Sequence, residues 1–437
     1  MTEKCMFRNK MNRRRFLNTA AAASVAVPLI IPRHVLAQDA NPGANDRIKI
    51  GIIGLGLRIR QLLNWPKEMH LQAVCDCNAP QIPSFLNWYK QSAPEVEKAA
   101  QYTDYCQMLE QEKLDGVFVT TPTHVRSRPA LIALAAGIDV YAEKPFALTV
   151  HEGQSLVKAV RKYKRVFQVG TQARSLPINR WAVEQIHSGA IGTISKVEVP
   201  NFLSPRDYKT PETRKPRPAG LDWDLWTDQA PLYPCDPDLL GSTEAWGLYR
   251  DFDGGGSTWG MSGFGTHAFD QIQWALNKDK ELPVEICAKE TNDPKNRSPF
   301  YMKYTDGVTI VMRTEVQGGP AFGGIFFGSK GKAEINRNQF RTNLAEIAAA
   351  MPTDLSRSES GHVKNWLDCV RARKDPVATV EIAHHHTLLC HFGVIAREIK
   401  RKLKFDAASE KFVNDQEANH HPSMIRPRRA GYELPNI

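Results

Sequence analysis

The stretch YAEKPFALT, residues 141–149, sets a lysine between a glutamate and a proline directly after the apolar run Ile138–Ala142. Lys144 reads there either as a solvated turn residue or as a proton carrier held at the mouth of a site, with Pro145 stiffening the turn that presents it. A second chemically suggestive place is Gly54-Leu55-Gly56-Leu57-Arg58, which follows the apolar run Arg47–Ile53. Glycines at a strand-to-helix turn let the backbone approach a dinucleotide pyrophosphate, and the free N–H groups of the helix start face the phosphates. The third glycine of the usual fingerprint is replaced by Ile59, so the turn alone is a weak signal. Asp76 strengthens it. It stands 20 residues beyond Gly56 at the end of the next apolar run, where a carboxylate accepts hydrogen bonds from an adenosine ribose diol. That residue type favours NAD, while Arg58 beside it leaves room for NADP; the competing reading is that Asp76 simply begins the turn Asp76-Cys77-Asn78.

These residues need strands that end together. The pattern predicts strands at Arg47–Ile53, Leu71–Cys75, Gly116–Thr120, Ile138–Ala142 and Val166–Val169, with helical stretches between them, which is the signature of a doubly wound parallel sheet. One such helix is read from SRPALIALAAG, with Ser127 as cap, Pro129 in the first turn and Gly137 at the exit. From about residue 170 the texture changes to strands separated by long loops rich in glycine, proline and tryptophan. Strands are expected at Lys196–Val199, Val284–Lys289, Val308–Thr314 and Gly323–Phe327, a helix after Thr266, and a helical pair at His362–Arg371 and Ile382–Lys400. The fold class is therefore α/β, a parallel-sheet domain over residues 47–169 followed by an α+β domain over 170–437. The loop 204–220, with four prolines and five Lys/Arg, reads as disordered or as a lid over a site.

The formal charge of +10 tempts towards nucleic acid, but residues 1–37 hold seven Lys/Arg against one Glu and leave only +4 for the rest. No basic stripe interleaved with aromatics stands out, so nucleic acid is dropped as a partner. Within 1–37, NRRRFLN, a small apolar run over Ala20–Ile31 and the cleavage-like Val35-Leu36-Ala37 resemble a twin-arginine export signal, followed by a polar linker over 38–46. The apolar run is shorter than the roughly 20 residues needed to span a bilayer. A periplasmic protein, carried out folded by the twin-arginine machinery with its cofactor already inserted, is the expectation. The cysteines are scattered without ligand-like spacing, and no disulfide framework is expected. His384-His385-His386 looks like a metal site, yet three adjacent helical residues point in three directions, so no metal is assigned.

The glycine turn, TPTHVR (121–126), AEKP (142–145), QVGTQARS (168–175), WDLW (223–226), GTHAFD (265–270) and RAGYELP (429–435), in that order and spacing, resemble the Gfo/Idh/MocA oxidoreductases over nearly the whole mature chain. The resemblance implies a Rossmann domain, then an open and mostly antiparallel sheet, with nicotinamide and substrate meeting between them. It implies sugar or polyol chemistry, with Lys144 and His267 near the reacting carbon. Oxidising a secondary alcohol requires a base for the hydroxyl proton and a positive group to steady the alkoxide, and this pair has both capacities. The cofactor-binding set becomes Gly54, Gly56, Leu57, Arg58, Asp76, Thr121, Pro122, His124, Glu143 and Lys144. Gln172 and Arg174 are expected to face substrate hydroxyls together with His267, and Trp223 and Trp226 either to pack or to stack on a sugar face.

Many relatives carry an aspartate four residues before that histidine; here Gly263 occupies the place. Asp270, one helical turn after His267, is the candidate to orient its ring. The leading expectation is a periplasmic NAD(P)-dependent oxidoreductase acting on a sugar, sugar derivative or cyclitol, its cofactor tightly held and recycled in place. Two alternatives stay open: glycoside cleavage or elimination through transient oxidation, and a non-catalytic sugar or nucleotide binder. The resemblance also implies a homo-oligomer, dimer or tetramer, formed through the outer face of the second sheet.

Overall fold

Strands β1 (Ile48–Ile53), β2 (Met69–Cys75), β3 (Ala100–Tyr102), β4 (Gly116–Val119), β5 (Asp139–Ala142) and β6 (Phe167–Val169) form one parallel sheet in the order β3-β2-β1-β4-β5-β6. The computed structural model describes residues 46–62, 66–91, 93–289, 297–316, 318–353, 355 and 358–437; the segment 1–37, read above as resembling an export signal, and all of the linker but Asp46 lie outside the described residues. The central strands are covered on both faces, which is why they read as unbroken apolar runs: Ile50, Ile52, Val117, Phe118 and Val119 have no exposed surface. β3 escapes that reading because it is three residues at a half-buried edge. Strand order reverses between β1 and β4, and a crevice opens there at the carboxyl ends of the strands. The helix following β4 starts earlier than its sequence suggests. It runs Thr123–Ala135 with Pro129 inside it, and Ser127, instead of capping, donates to Glu152 Oε2 at 2.7 Å.

The second sheet comprises β7 (Ile194–Asn201), β8 (Glu285–Ala288), β9 (Phe300–Lys303), β10 (Thr309–Val316), β11 (Gly324–Gly328), β12 (Lys332–Asn336), β13 (Gln339–Thr342), β14 (Leu403–Asp406) and β15 (Lys411–Phe412). They are ordered β13-β12-β11-β7-β10-β9-β8-β14-β15, and every pairing is antiparallel except β7 with β10. The helices Phe264–Ala275 and Val380–Ile399 cover its inner face, through Phe269, Ile272, Leu388 and Phe392 against Val197, Ile286, Met302 and Phe326.

Between β7 and the Phe264–Ala275 helix the chain makes a long irregular excursion with its own aromatic core of Tyr208, Trp223, Trp226, Trp246 and Phe252. Trp223 and Trp226 stack at 4.7 Å with 7° between their planes, so packing accounts for this pair. The loop 204–220 does not border the crevice as a lid; residues 239–243 and Trp246 of the same excursion do.

Two later segments return to the first sheet. The Ser360–Ala372 helix inserts Trp366, fully buried, against Phe118 and Tyr141 with ring centroids 5.1 and 5.9 Å away. His362 of that helix bonds the Val169 carbonyl at 2.8 Å and Ser175 Oγ at 2.7 Å. Gly116 makes the approach feasible: a Cβ there would sit 2.8 Å from the indole of Trp366. The C-terminal tail then ties both lobes, Arg428 pairing with Glu152 at 2.7 Å and with Asp228 at 3.2 Å. Among the described residues, no helix is long and apolar enough to cross a membrane.

Candidate active site

The glycine turn is built as its residues require. Gly54 has φ +92°, and a Cβ there would press within 2.9 Å of the Thr121 backbone nitrogen. Only a residue without a side chain adopts that conformation at such close range. At Gly56, by contrast, an added Cβ meets nothing within 4 Å, so this backbone faces open space. The Leu57–Leu62 helix begins directly after it. Asp76 at the end of β2 is fixed by two backbone donors, the N–H of Leu55 at 2.8 Å and of Asn78 at 2.9 Å. Asp76 forms its turn, and it also lines the crevice.

One cavity of about 590 Å³ lies between the lobes. The first lobe contributes Gly54, Gly56, Leu57, Arg58, Asp76, Thr121, Pro122, Arg126, Glu143 and Lys144, and the second Trp226, Trp246, Asp253, Phe264, His267, Phe322 and Arg337. Lys144 and His267, arriving from different domains, share this wall. Lys144 Nζ donates to the Gly263 carbonyl at 3.4 Å. Burial pushes its pKa down to about 8, against the upward pull of Glu143. His267 is 4% exposed, and burial together with the Lys144 charge holds its pKa well below the usual imidazole range, so its ring is neutral. Its Nδ1 is buried without a hydrogen-bond partner among the described residues.

Arg58 forms an ion pair with Glu143, Nε to Oε1 at 3.0 Å, and is thereby committed within the protein. Glu143 also accepts from Gln172 Nε2 at 3.0 Å and from the Lys144 N–H at 3.1 Å. Arg126, fully enclosed, donates to the carbonyls of Thr121, at 2.6 Å, and Pro145. It clamps the TPT and EKP turns to each other.

Four expectations are corrected. His124 is not among the lining residues: it is completely buried, its Nε2 lies 2.7 Å from the Trp226 carbonyl, and Trp226 and Phe252 ring it edge-on at 5.1 Å. Burial lowers its pKa to about 4, which makes it a neutral spacer between lobes. Gln172 does not face substrate either; its amide holds Glu143 and Tyr141 from behind, at 3.0 and 3.1 Å. Arg174 pairs with Asp270 at 2.7 Å and Asp279 at 2.6 Å, 4% exposed. Asp270 therefore does not orient His267. Burial works to raise its carboxyl, but Arg174 and His386 outweigh that and hold it below its ordinary value. The cause is common to all four: a residue close in sequence to a motif has its partner far away in the chain.

We expect Arg174→Lys, which keeps the charge but not the forked geometry, to lose about 2 kcal/mol of stability in denaturant unfolding. Nucleotide affinity should stay unchanged, and a weakened affinity would return Arg174 to the binding site. The histidine run behaves as three separate contacts, His384 to Glu410 at 2.8 Å, His385 to the Asp279 carbonyl at 2.8 Å and His386 to Asp270 at 3.2 Å. Asp253, Arg126, Arg337 and Phe322 were missed by the sequence reading. Arg126 closes the TPTHVR motif and Asp253 is a carboxylate directly before the glycine triplet 254–256, whereas Arg337 and Phe322 carry no local signal.

Residues 48–171 match the family described as "Oxidoreductase family, NAD-binding Rossmann fold", and residues 189–434 match "Oxidoreductase family, C-terminal alpha/beta domain". The inositol 2-dehydrogenase of Salmonella typhimurium is 28% identical over 206 residues, 40% of this chain and 60% of that protein. The chain thus spans about 60% of the length of that relative. The aldose-aldose oxidoreductase of Caulobacter crescentus has the same fold, with a TM-score of 0.59 and 17% identity over 82% of this chain and 100% of the other. The myo-inositol 2-dehydrogenase of Lactobacillus plantarum gives a TM-score of 0.56 and 19% identity over 82% and 100%. Because both family descriptions match in chain order, and the second alone takes in more than half of the sequence, the chain belongs to the Gfo/Idh/MocA oxidoreductase family.

Proposed function

We propose that the protein is an NAD-dependent oxidoreductase interconverting a secondary alcohol and a carbonyl on a sugar, sugar derivative or cyclitol. The observation that carries the reading is that the same cavity is bordered both by the Gly56 turn with Asp76 and by Lys144 with His267. The glycine backbone open at Gly56 and the carboxylate of Asp76 suit a dinucleotide pyrophosphate and its ribose. NAD is preferred to NADP because Arg58 is committed to Glu143 and Asp76 stands where a second phosphate would be repelled. The nicotinamide, when bound, supplies the hydride acceptor and donor.

In the oxidising direction the free amine of Lys144 takes the hydroxyl proton. Neutral His267 offers one nitrogen as donor to the same oxygen, and the ammonium formed steadies negative charge there. Phe264 and Phe322, with ring centroids 4.3 Å apart, exclude water beside the histidine. The resemblance of the leader to a twin-arginine signal supports a periplasmic setting, where free nucleotide is scarce. We therefore include in the reading a dinucleotide carried tightly and recycled by a second substrate; the name of the aldose-aldose relative fits that scheme. Self-association through the outer face of the second sheet, where Val311, Ile325 and Phe327 stay partly exposed, belongs to the same reading.

Mass spectrometry of denatured, freshly purified protein should release NAD, and a panel of sugars and cyclitols should change the nicotinamide fluorescence. For alcohol oxidation kcat/KM should rise tenfold per pH unit below about 8 and level off above it, because only the deprotonated lysine is a base. Absence of any dinucleotide, with none taken up on addition, would end the proposal. Cleavage of an aryl glycoside without net redox change would instead point to transient oxidation.

A further inference from the structure

One carboxylate on the cavity wall has no part in the scheme above. Asp253 has no exposed surface, yet it lines the cavity between the lobes. Its two oxygens accept from Ser262 Oγ and Thr123 Oγ1, both neutral donors, and among the described residues it forms no direct ion pair. A buried carboxylate is costly unless charge or hydrogen bonds compensate it. The cations nearest in the field are Arg126 and Lys144. The connectivity is equally specific: Thr123 starts the first-lobe helix after the TPT turn, while Ser262 precedes Gly263, whose carbonyl receives Lys144 Nζ. Asp253 therefore bridges the lobes at the turn on which the lysine rests and from which the His267 helix starts.

We propose that Asp253 is the carboxylate completing the Lys144–His267 pair, a positioning residue that holds the Ser262–Gly263 turn beneath the lysine and supplies the counter-charge its ammonium faces. The role assigned to Lys144 in this rests on the proposed function. The groups facing Lys144 are Glu143, its neighbour in the turn after β5, Arg58 of the glycine-turn helix, Arg126 of the TPT helix, His267 of the second lobe and Asp253. Glu143 is already shared by Arg58 and Gln172, whereas the charge of Asp253 is not divided in this way. Cys390, beyond Thr266, stays a neutral thiol with its pKa pushed by burial up to about 12.

The test reads the titration of Lys144 without needing turnover. Lysines are labelled by reductive ¹³C-methylation, and the Lys144 signal is assigned by its loss in Lys144→Arg. In Asp253→Asn the Lys144 midpoint should fall by about one pH unit, a tenfold loss of proton affinity. Ser262→Ala, which keeps the charge and removes the bond from Asp253 to the turn, should lower that midpoint by clearly less than Asp253→Asn does. An unmoved midpoint in Asp253→Asn overturns the proposal, and so does a drop in Ser262→Ala as large as in Asp253→Asn, since that would be a merely structural effect. If Asp253→Asn does not fold, the coupling is read in reverse: Lys144→Met in ¹³C-carboxyl-aspartate protein must raise the midpoint of one aspartate, and if none moves the proposal falls. A shifted lysine with no nucleotide bound and no substrate turned over would leave the coupling standing and sink the proposed function alone.

Discussion

Lys144→Met should lower kcat about 100- to 10,000-fold while the bound nucleotide is retained. The split is expected because the methionine keeps the aliphatic stem but removes a cavity-lining amine whose pKa, about 8, lets it both take and return a proton near neutrality. The contacts proposed for the nucleotide lie elsewhere, at the Gly56 backbone and the Asp76 carboxylate, so its affinity should hold. Stopped-flow reduction of the bound nucleotide, alongside its stoichiometry by mass spectrometry, separates the two effects. An unchanged rate would remove the lysine from the mechanism. A lost nucleotide would instead show that Lys144 supports the Glu143–Arg58 pair, which its own backbone N–H joins at 3.1 Å. The non-catalytic alternative predicts no measurable turnover before the substitution.

The second large effect is expected from Gly263→Asp, which introduces the residue type that the family resemblance leads one to expect there. It should destabilise the protein by about 4 kcal/mol and give no gain in rate. A Cβ at residue 263 would overlap the Ser257 carbonyl oxygen and come within 2.7 Å of that of Gly256. Both are backbone atoms of a tight loop tied down by Gly263 N–H to the Gly255 carbonyl at 3.0 Å, so they cannot swing aside as a side chain would. Gly263→Ala should suffer most of the same loss, because the clash begins at Cβ and not at the carboxylate. Urea midpoints of the two variants decide the matter. A stable and faster Gly263→Asp would mean that the 255–257 loop yields, and that the glycine had been limiting catalysis.

Much of the scaffold was readable because its causes are local. β1, β2, β4 and β5 show as largely apolar runs, and the two long helices near the C-terminus show as helical stretches, the Val380–Ile399 helix being buried on every side from His386 to Arg397. β9 and β12 to β15 were not expected; they are two to five residues long and stabilised by neighbours that sequence distance hides. The site divides along the same line. Gly54 and Asp76 were legible from turn geometry and spacing, and both line the cavity. Arg174 and Gln172 belong to a promising motif, yet Arg174 is claimed by Asp270 and Asp279, some hundred residues on, and Gln172 by Glu143 and Tyr141, whose side chains no periodicity reveals. Asp253 is the converse case, a residue outside the motifs of the resemblance that stands on the wall beside the aromatic core around Phe252.

The Ser360–Ala372 helix, whose Trp366 fills the space above Gly116, has a bearing on how such proteins can be recombined. A nucleotide module cut from the N-terminal half would carry an open apolar slot lined by Phe118 and Tyr141, and a donor lobe would arrive with an indole seeking a hole of another shape. Chimeras between relatives, whether made by evolution or at the bench, must therefore move this distant helix together with the sheet it completes, so that inheritance here follows the packing and not the order of the chain.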